Sequence, residues 1–128
     1  MNILITGVCG FIGFSLAEDL MKTKNKIIGV DNLNNYYSKK LKKKRLSILK
    51  KKKNFKFILA DINNYKKIVK ETKSIKIDII FNFAAQAGVR YAVENPESYI
   101  HSNVEGFKSL IKFVLYKKPK KFIFASSS

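Results

Sequence analysis

A short apolar run that opens into three spaced glycines constrains this chain more than any other feature. Residues 2–6 carry Ile3, Leu4 and Ile5 and predict a buried strand. The string ITGVCGFIG then places Gly7, Gly10 and Gly13 ahead of Ile12, Leu16, Leu20 and Met21, which share one helical face. Each glycine has a mechanical reason. Gly7 permits a tight turn, Gly10 lets the backbone approach a diphosphate, and Gly13 allows close packing of helix on strand. The anion then meets free N–H groups at the positive end of the helix dipole. The same glycines could also serve a ligand-free turn, so the loop needs a partner further along the chain.

Asp31 is that partner. It comes after the second apolar run, residues 26–30, and lies 18 residues after Gly13. There a carboxylate accepts hydrogen bonds from the adenosine ribose of a dinucleotide, which favours NAD over the 2′-phosphorylated NADP. Asp61 closes the next run and has two readings, an acceptor for the adenine amino group or a cap for the turn at Asn63 and Asn64. Apolar runs at 55–59, 77–83 and 122–125 predict three more strands. Helices are expected from Gly13 to about Asn25, which would supply the left-handed end, around Tyr37, Leu41, Ile48 and Leu49, around Tyr65 and Ile68, and from Asn95 to Lys118 with Pro96 at its first position. Strand–helix alternation predicts an α/β, Rossmann-type doubly wound parallel sheet of five strands in order 3-2-1-4-5. Residues 1–128 are expected to form one such domain, incomplete because the remaining strands and the substrate-binding part are not among them.

Charge is the distracting feature. The formal net charge is +17, and eleven basic residues with no acid fall between Lys39 and Lys56, leaving +6 for the other 110 residues. The excess is compositional: Lys, Asn and Ile together supply 51 of 128 residues, and only two residues are Arg. The stripe therefore reads as the solvated face of one helix, and the scarcity of Arg disfavours a nucleic-acid reader. One Cys and one His exclude a disulfide framework and a zinc cluster, so no metal is expected. No apolar run is long enough for a membrane span, and a cytoplasmic location is expected.

Three longer strings carry a resemblance. TGVCGFIG, VDNLNNYYSKKLKKKRL, and NFAAQAGVRYAVENPESY with SNVEGF after it resemble the extended short-chain dehydrogenase/reductases, specifically the UDP-glucuronate 4-epimerases, over nearly the whole chain. The resemblance implies that Gly7, Gly10, Phe11, Ile12 and Gly13 hold the diphosphate of NAD. By the same resemblance Asp31 and Asn32 hold its ribose, Asp61 and Ile62 its adenine, and Phe83, Ala84 and Ala85 line its nicotinamide side. Asn103 matches a cofactor-side Asn, while Gln86, Gly88 and Arg90 stand where a UDP-glucuronate-like sugar nucleotide is met. For Arg90 the plainer alternative is an ion pair with Glu94. Ser127 matches the catalytic Ser or Thr. The implied reaction oxidises the sugar at C4 to a keto intermediate and reduces it again on the other face, with a Tyr as base. A homodimer built partly on the 95–117 helix is also implied.

The sequence departs from that pattern in one major respect. The catalytic Tyr-x-x-x-Lys is expected after the fifth strand, and the 128 residues do not reach it. Tyr36 with Lys40 and Tyr116 with Lys120 match the spacing, but the first pair belongs to the YY segment and Pro119 interrupts the second. Cys9, Ala92 and Asn25 replace the Ala, Ser and Gly favoured by relatives. The expectation is thus the NAD-binding part of a longer epimerase, inactive by itself. A non-catalytic dinucleotide module, a nucleotide-sugar 4,6-dehydratase or decarboxylase, and a basic nucleic-acid-binding protein are the alternatives.

Overall fold

Ile3, Leu4 and Ile5 are all buried, as the centre of a parallel sheet demands, because helices cover both of its faces. The structure is a computed structural model that describes residues 1–126. Strands β1 (Asn2–Thr6), β2 (Lys26–Asp31), β3 (Phe55–Leu59), β4 (Ile79–Asn82) and β5 (Lys121–Phe124) form one parallel sheet in the predicted order β3-β2-β1-β4-β5. Alternation along the strands divides the core. Leu4, Ile28 and Ile80 lie side by side and pack towards Ile68, Leu110 and Phe113, whereas Ile3, Ile5 and Ile27 face Ala17, Met21, Leu46 and Leu49. The connections after β1 and after β4 leave on opposite sides, which opens a crevice at the carboxyl ends of these two strands.

Helix α1 (Phe11–Leu20) stops earlier than the sequence suggests. Asn25 is not left-handed; among the described non-glycine residues only Leu33 and Lys118 have positive φ. Asn25 instead closes the turn through its side chain, donating to Thr23 Oγ1 at 2.8 Å and accepting from Asn54 Nδ2 on its carbonyl at 2.8 Å. Helix α2 (Lys39–Lys50), capped by the Ser38 hydroxyl on the Leu41 amide, buries Lys42, Leu46 and Leu49. Leu41 is exposed, so the inner face is displaced by one residue from the expected one.

Helix α3 (Tyr65–Glu71) is capped by Asn64, whose side chain accepts from the Lys67 amide. After β4, a helix not expected from the sequence, α4 (Val89–Glu94), precedes α5 (Pro96–Tyr99). The long 95–118 helix is interrupted. Residues Ile100–Glu105 are π-helical before α6 (Gly106–Lys117) resumes. The widened turn rotates the faces of α5 and α6 relative to one another. Ile100 and Val104 are consequently exposed, and α6 buries Gly106, Ser109, Leu110 and Phe113; of the expected stripe Val114 packs against this core, while Phe107 and Ile111 are half-buried. Phe107 turns to the sheet edge and packs on Phe122 and Phe124.

Candidate functional site

The glycine loop is built by contacts that exclude any side chain. A Cβ on Gly13 would lie 2.3 Å from the Gly7 carbonyl oxygen, and one on Gly7, at φ +66°, would lie 2.7 Å from the Phe83 carbonyl. Gly10 donates its amide to the Gly7 carbonyl at 2.9 Å and accepts from the Phe14 amide at 3.0 Å. This leaves the first-turn amides of Phe11, Ile12 and Gly13 without helical acceptors at the mouth of the crevice. Phe11 and Ile12 are exposed there.

On the opposite wall, Thr6 ties β1 to β4. Its hydroxyl donates to Asn82 Oδ1 at 2.5 Å and accepts from the Ala84 amide at 3.1 Å, which fixes the Phe83–Ala85 backbone over the strand ends. Between these walls lies a cavity of about 660 Å³, in the range of small-molecule and cofactor sites.

Twelve of the residues singled out from the sequence line this one cavity: Gly7, Gly10, Phe11, Ile12, Gly13, Asp31, Asn32, Asp61, Ile62, Phe83, Ala84 and Ala85. Asp31 is 6% exposed. Its Oδ2 accepts from the Cys9 amide at 2.9 Å and its Oδ1 from the Leu33 amide at 2.8 Å, so it joins the glycine loop to the loop after β2. Asp61 lines the cavity and also holds the turn at Asn63, whose backbone amide donates to Oδ1; the α3 cap is Asn64. Burial alone would raise the Asp61 carboxyl, but hydrogen bonds from the Asn63 amide, Asn32, the Asn63 side chain and His101 leave it below the usual carboxylate range.

The remaining expected residues are placed differently. Asn103 does not line the cavity. Its side chain accepts from the Gln86 backbone N–H at 2.8 Å and donates to the Gln86 carbonyl at 2.9 Å, clamping the loop after β4 from outside. Gln86 is buried and accepts from the Ser98 hydroxyl. Gly88, at φ +94°, leaves room for the Tyr36 hydroxyl, which would stand 2.4 Å from a Cβ there. Arg90 is exposed on α4, and no Arg90–Glu94 ion pair is formed among the described residues. Ser127 lies outside the described residues. Lys120 pairs with Asp78 at the opposite end of the sheet from the cavity, which separates the Tyr116–Lys120 spacing from the site. No group of three or more metal-ligating side chains occurs among the described residues.

Several lining residues were not singled out from the sequence. Lys42 is 5% exposed; its Nζ donates to Asn34 Oδ1 at 2.6 Å and lies 4.7 Å from the Tyr37 ring centroid. Burial pushes its ammonium down while Asp31 opposes that shift. Arg45 donates to the Cys9 carbonyl and the Tyr37 hydroxyl, both at 3.2 Å. A buried Lys in a Lys-rich stripe is not distinguished by its residue type. The available signal was its spacing: Lys42, Leu46 and Leu49 share one helical face.

Cys9 sits inside the glycine loop, fully buried. Burial, reinforced by the Asp31 carboxylate, pushes its thiol up to about 12. The thiolate is the reactive form. Folded protein near pH 8 is therefore expected to leave Cys9 unlabelled by a thiol reagent, with one equivalent taken up after unfolding. Rapid labelling of the folded chain would show that the loop opens readily.

A three-glycine turn at the switch point of a 3-2-1-4-5 sheet, with an acid ending β2, defines a Rossmann domain of the dinucleotide-binding type. The family model described as GDP-mannose 4,6 dehydratase matches residues 4–128, and the chain belongs to that family, within the epimerase and dehydratase branch of the short-chain dehydrogenase/reductases. Among curated relatives, UDP-glucuronate 4-epimerase from Thermodesulfobacterium geofontis is 42% identical over 98% of this chain and 39% of its own length. Protein CapI from Staphylococcus aureus is 44% identical over 100% and 38%. The crystal structure of UDP-glucuronic acid 4-epimerase from Bacillus cereus, in complex with UDP-glucuronic acid and NAD, superposes with a TM-score of 0.88 at 30% identity, covering 100% of this chain and 40% of that one. The chain thus spans about 40% of the length of these relatives. No helix among the described residues is long and apolar enough to cross a membrane.

Proposed function

We propose that this chain is the NAD-binding part of a nucleotide-sugar epimerase acting on UDP-glucuronate through a 4-keto intermediate. The observation that carries the reading is the fit of the cavity to a dinucleotide. Gly7 and Gly13 leave no space for a Cβ, the α1 amides face the mouth, and the Asp31 carboxylate stands at the end of β2. Gly7, Gly10, Phe11, Ile12 and Gly13 would hold the diphosphate, Asp31 and Asn32 the adenosine ribose, Asp61 and Ile62 the adenine. Phe83, Ala84 and Ala85 would flank the nicotinamide, with Thr6 fixing their backbone. When bound, NAD supplies the hydride acceptor and donor for chemistry at C4 of the sugar.

The segment 83–90, which runs from the end of β4 into α4, is the natural beginning of the sugar-nucleotide site. Asn103 positions it through Gln86, and Arg90 projects a guanidinium suited to a carboxylate or diphosphate. Ser127 would help hold the C4 oxygen. The proton-transferring Tyr-x-x-x-Lys is not supplied by these 128 residues, so the chain alone is expected to bind NAD⁺ without epimerising UDP-glucuronate. We place it in the cytoplasm, as a homodimer whose contact includes the exposed Ile100 and Val104.

Calorimetric titration with NAD⁺ tests the reading. Gly10→Asp puts a carboxylate against the diphosphate position and is expected to weaken binding about tenfold or more, since like charges a few ångströms apart repel by about 1 kcal/mol or more even in water-like surroundings. An unchanged affinity would refute the placement of the diphosphate.

A further inference from the structure

The Asp61 carboxylate already has all the donors it can hold. Oδ1 accepts from the Asn63 amide at 2.9 Å and from Asn63 Nδ2 at 3.0 Å; Oδ2 accepts from Asn32 Nδ2 at 2.9 Å and faces His101 Nε2 at 3.4 Å. A carboxylate offers about four lone-pair positions. If adenine lies against Asp61, as the proposed function requires, its 6-amino group is a fifth donor and one of the four must leave. His101 has the longest of these contacts, is the only imidazole in the chain, and its side chain is 58% exposed on the π-helical stretch.

A second partner stands ready to receive it. Asn63 Nδ2 has two hydrogens but three acceptors within reach: Asp61 Oδ1, the His101 carbonyl at 2.8 Å and His101 Nε2 at 3.1 Å. Charged His101 carries a proton on Nε2 and donates to Asp61. In its neutral form with the proton on Nδ1, Nε2 becomes an acceptor for Asn63, and a position on Asp61 is vacated.

We infer that His101 competes with the adenine 6-amino group for Asp61, so that it governs recognition of the base. The inference rests on the proposed placement of adenine, and its geometric ground is that His101 makes the longest contact on Asp61 and has a second partner, Asn63, to turn to.

The test is calorimetric titration of the 128-residue chain with NAD⁺ and with nicotinamide hypoxanthine dinucleotide, which has an oxo group in place of the amino group. His101→Ala, which removes the competitor, is expected to bind NAD⁺ about fivefold to tenfold more tightly than the wild type, a modest coupling between sites. The hypoxanthine analogue has no amino group to compete and should bind wild type and His101→Ala alike. Because His101 is the sole His, its ring resonances can be followed singly by NMR, and NAD⁺ should shift them more than the analogue does. Equal NAD⁺ affinity in wild type and His101→Ala, with NAD⁺ still preferred over the analogue, would overturn the His101 inference alone. Loss of that preference in the wild type, or no binding at all, would overturn the adenine placement and the inference with it.

Discussion

Gly13→Val is expected to abolish measurable NAD⁺ binding and to lower the melting temperature. Its Cβ would stand 2.3 Å from the Gly7 carbonyl oxygen and 2.9 Å from the carbonyl carbon, both backbone atoms that no side-chain rotation can remove. Relief requires α1 to move away from β1 or the loop to shift. Gly7 itself cannot yield easily, because a Cβ placed there would already be 2.7 Å from the Phe83 backbone, so the loop is confined between α1 and the end of β4. Overpacking of this kind costs on the order of 3 kcal/mol or more, equivalent to roughly a hundredfold in affinity if spent on the loop. Gly13→Ala places the same Cβ against the same backbone atoms and is expected to weaken binding and lower the melting temperature nearly as much. A Gly13→Val chain that bound NAD⁺ normally would mean that the amides of α1 do not face the diphosphate.

The glycine spacing and Asp31 were legible because each demands something the backbone alone must satisfy, and the strand order came from the alternation of apolar runs with helices. The parts that could not be read depend on side chains meeting across the crevice. Lys42 looks like any other residue of a solvated stripe, yet its ammonium reaches Asn34 while its stem lies in the cavity wall. Thr6 is an ordinary strand residue until Asn82 and Ala84 are brought to it from 76 and 78 positions away.

The 95–118 segment resists reading for a different reason. Its apolar residues at 100, 104, 107, 111 and 114 fit one continuous α-helical face, and a π turn leaves no trace in such spacing. That turn nevertheless places Asn103 on the loop after β4 and His101 beside Asp61. It therefore determines which residues of this segment reach the site.

Asp31→Ala is expected to lower both stability and NAD⁺ affinity, and the reason lies in how its carboxylate differs from that of Asp61. Asp31 accepts two backbone amides, from Cys9 and Leu33, and about two of its four lone-pair positions remain for other donors. Two free acceptors on a carboxylate facing the cavity match the two hydroxyls of an adenosine ribose. Asp61, by contrast, has none to spare. Truncation at 31 strands two amides, each costing about 1–3 kcal/mol when buried and unpaired, and it removes the carboxylate that opposes the burial of Lys42. Denaturant unfolding should report a loss of roughly 3 kcal/mol, and a thermal scan a fall on the order of 10 °C. NAD⁺ affinity should fall at least about a hundredfold if both ribose hydroxyls lose a charged acceptor, at about 1.5–3 kcal/mol for each bond of that kind. NADP⁺ should respond in the opposite sense. Its 2′-phosphate is repelled by Asp31 and attracted by Lys42 and Arg45, so removing the carboxylate leaves the two cations unopposed and narrows the preference for NAD⁺. If Asp31→Ala loses stability but keeps both its NAD⁺ affinity and its preference over NADP⁺, the carboxylate is a loop brace only and the ribose must be held elsewhere.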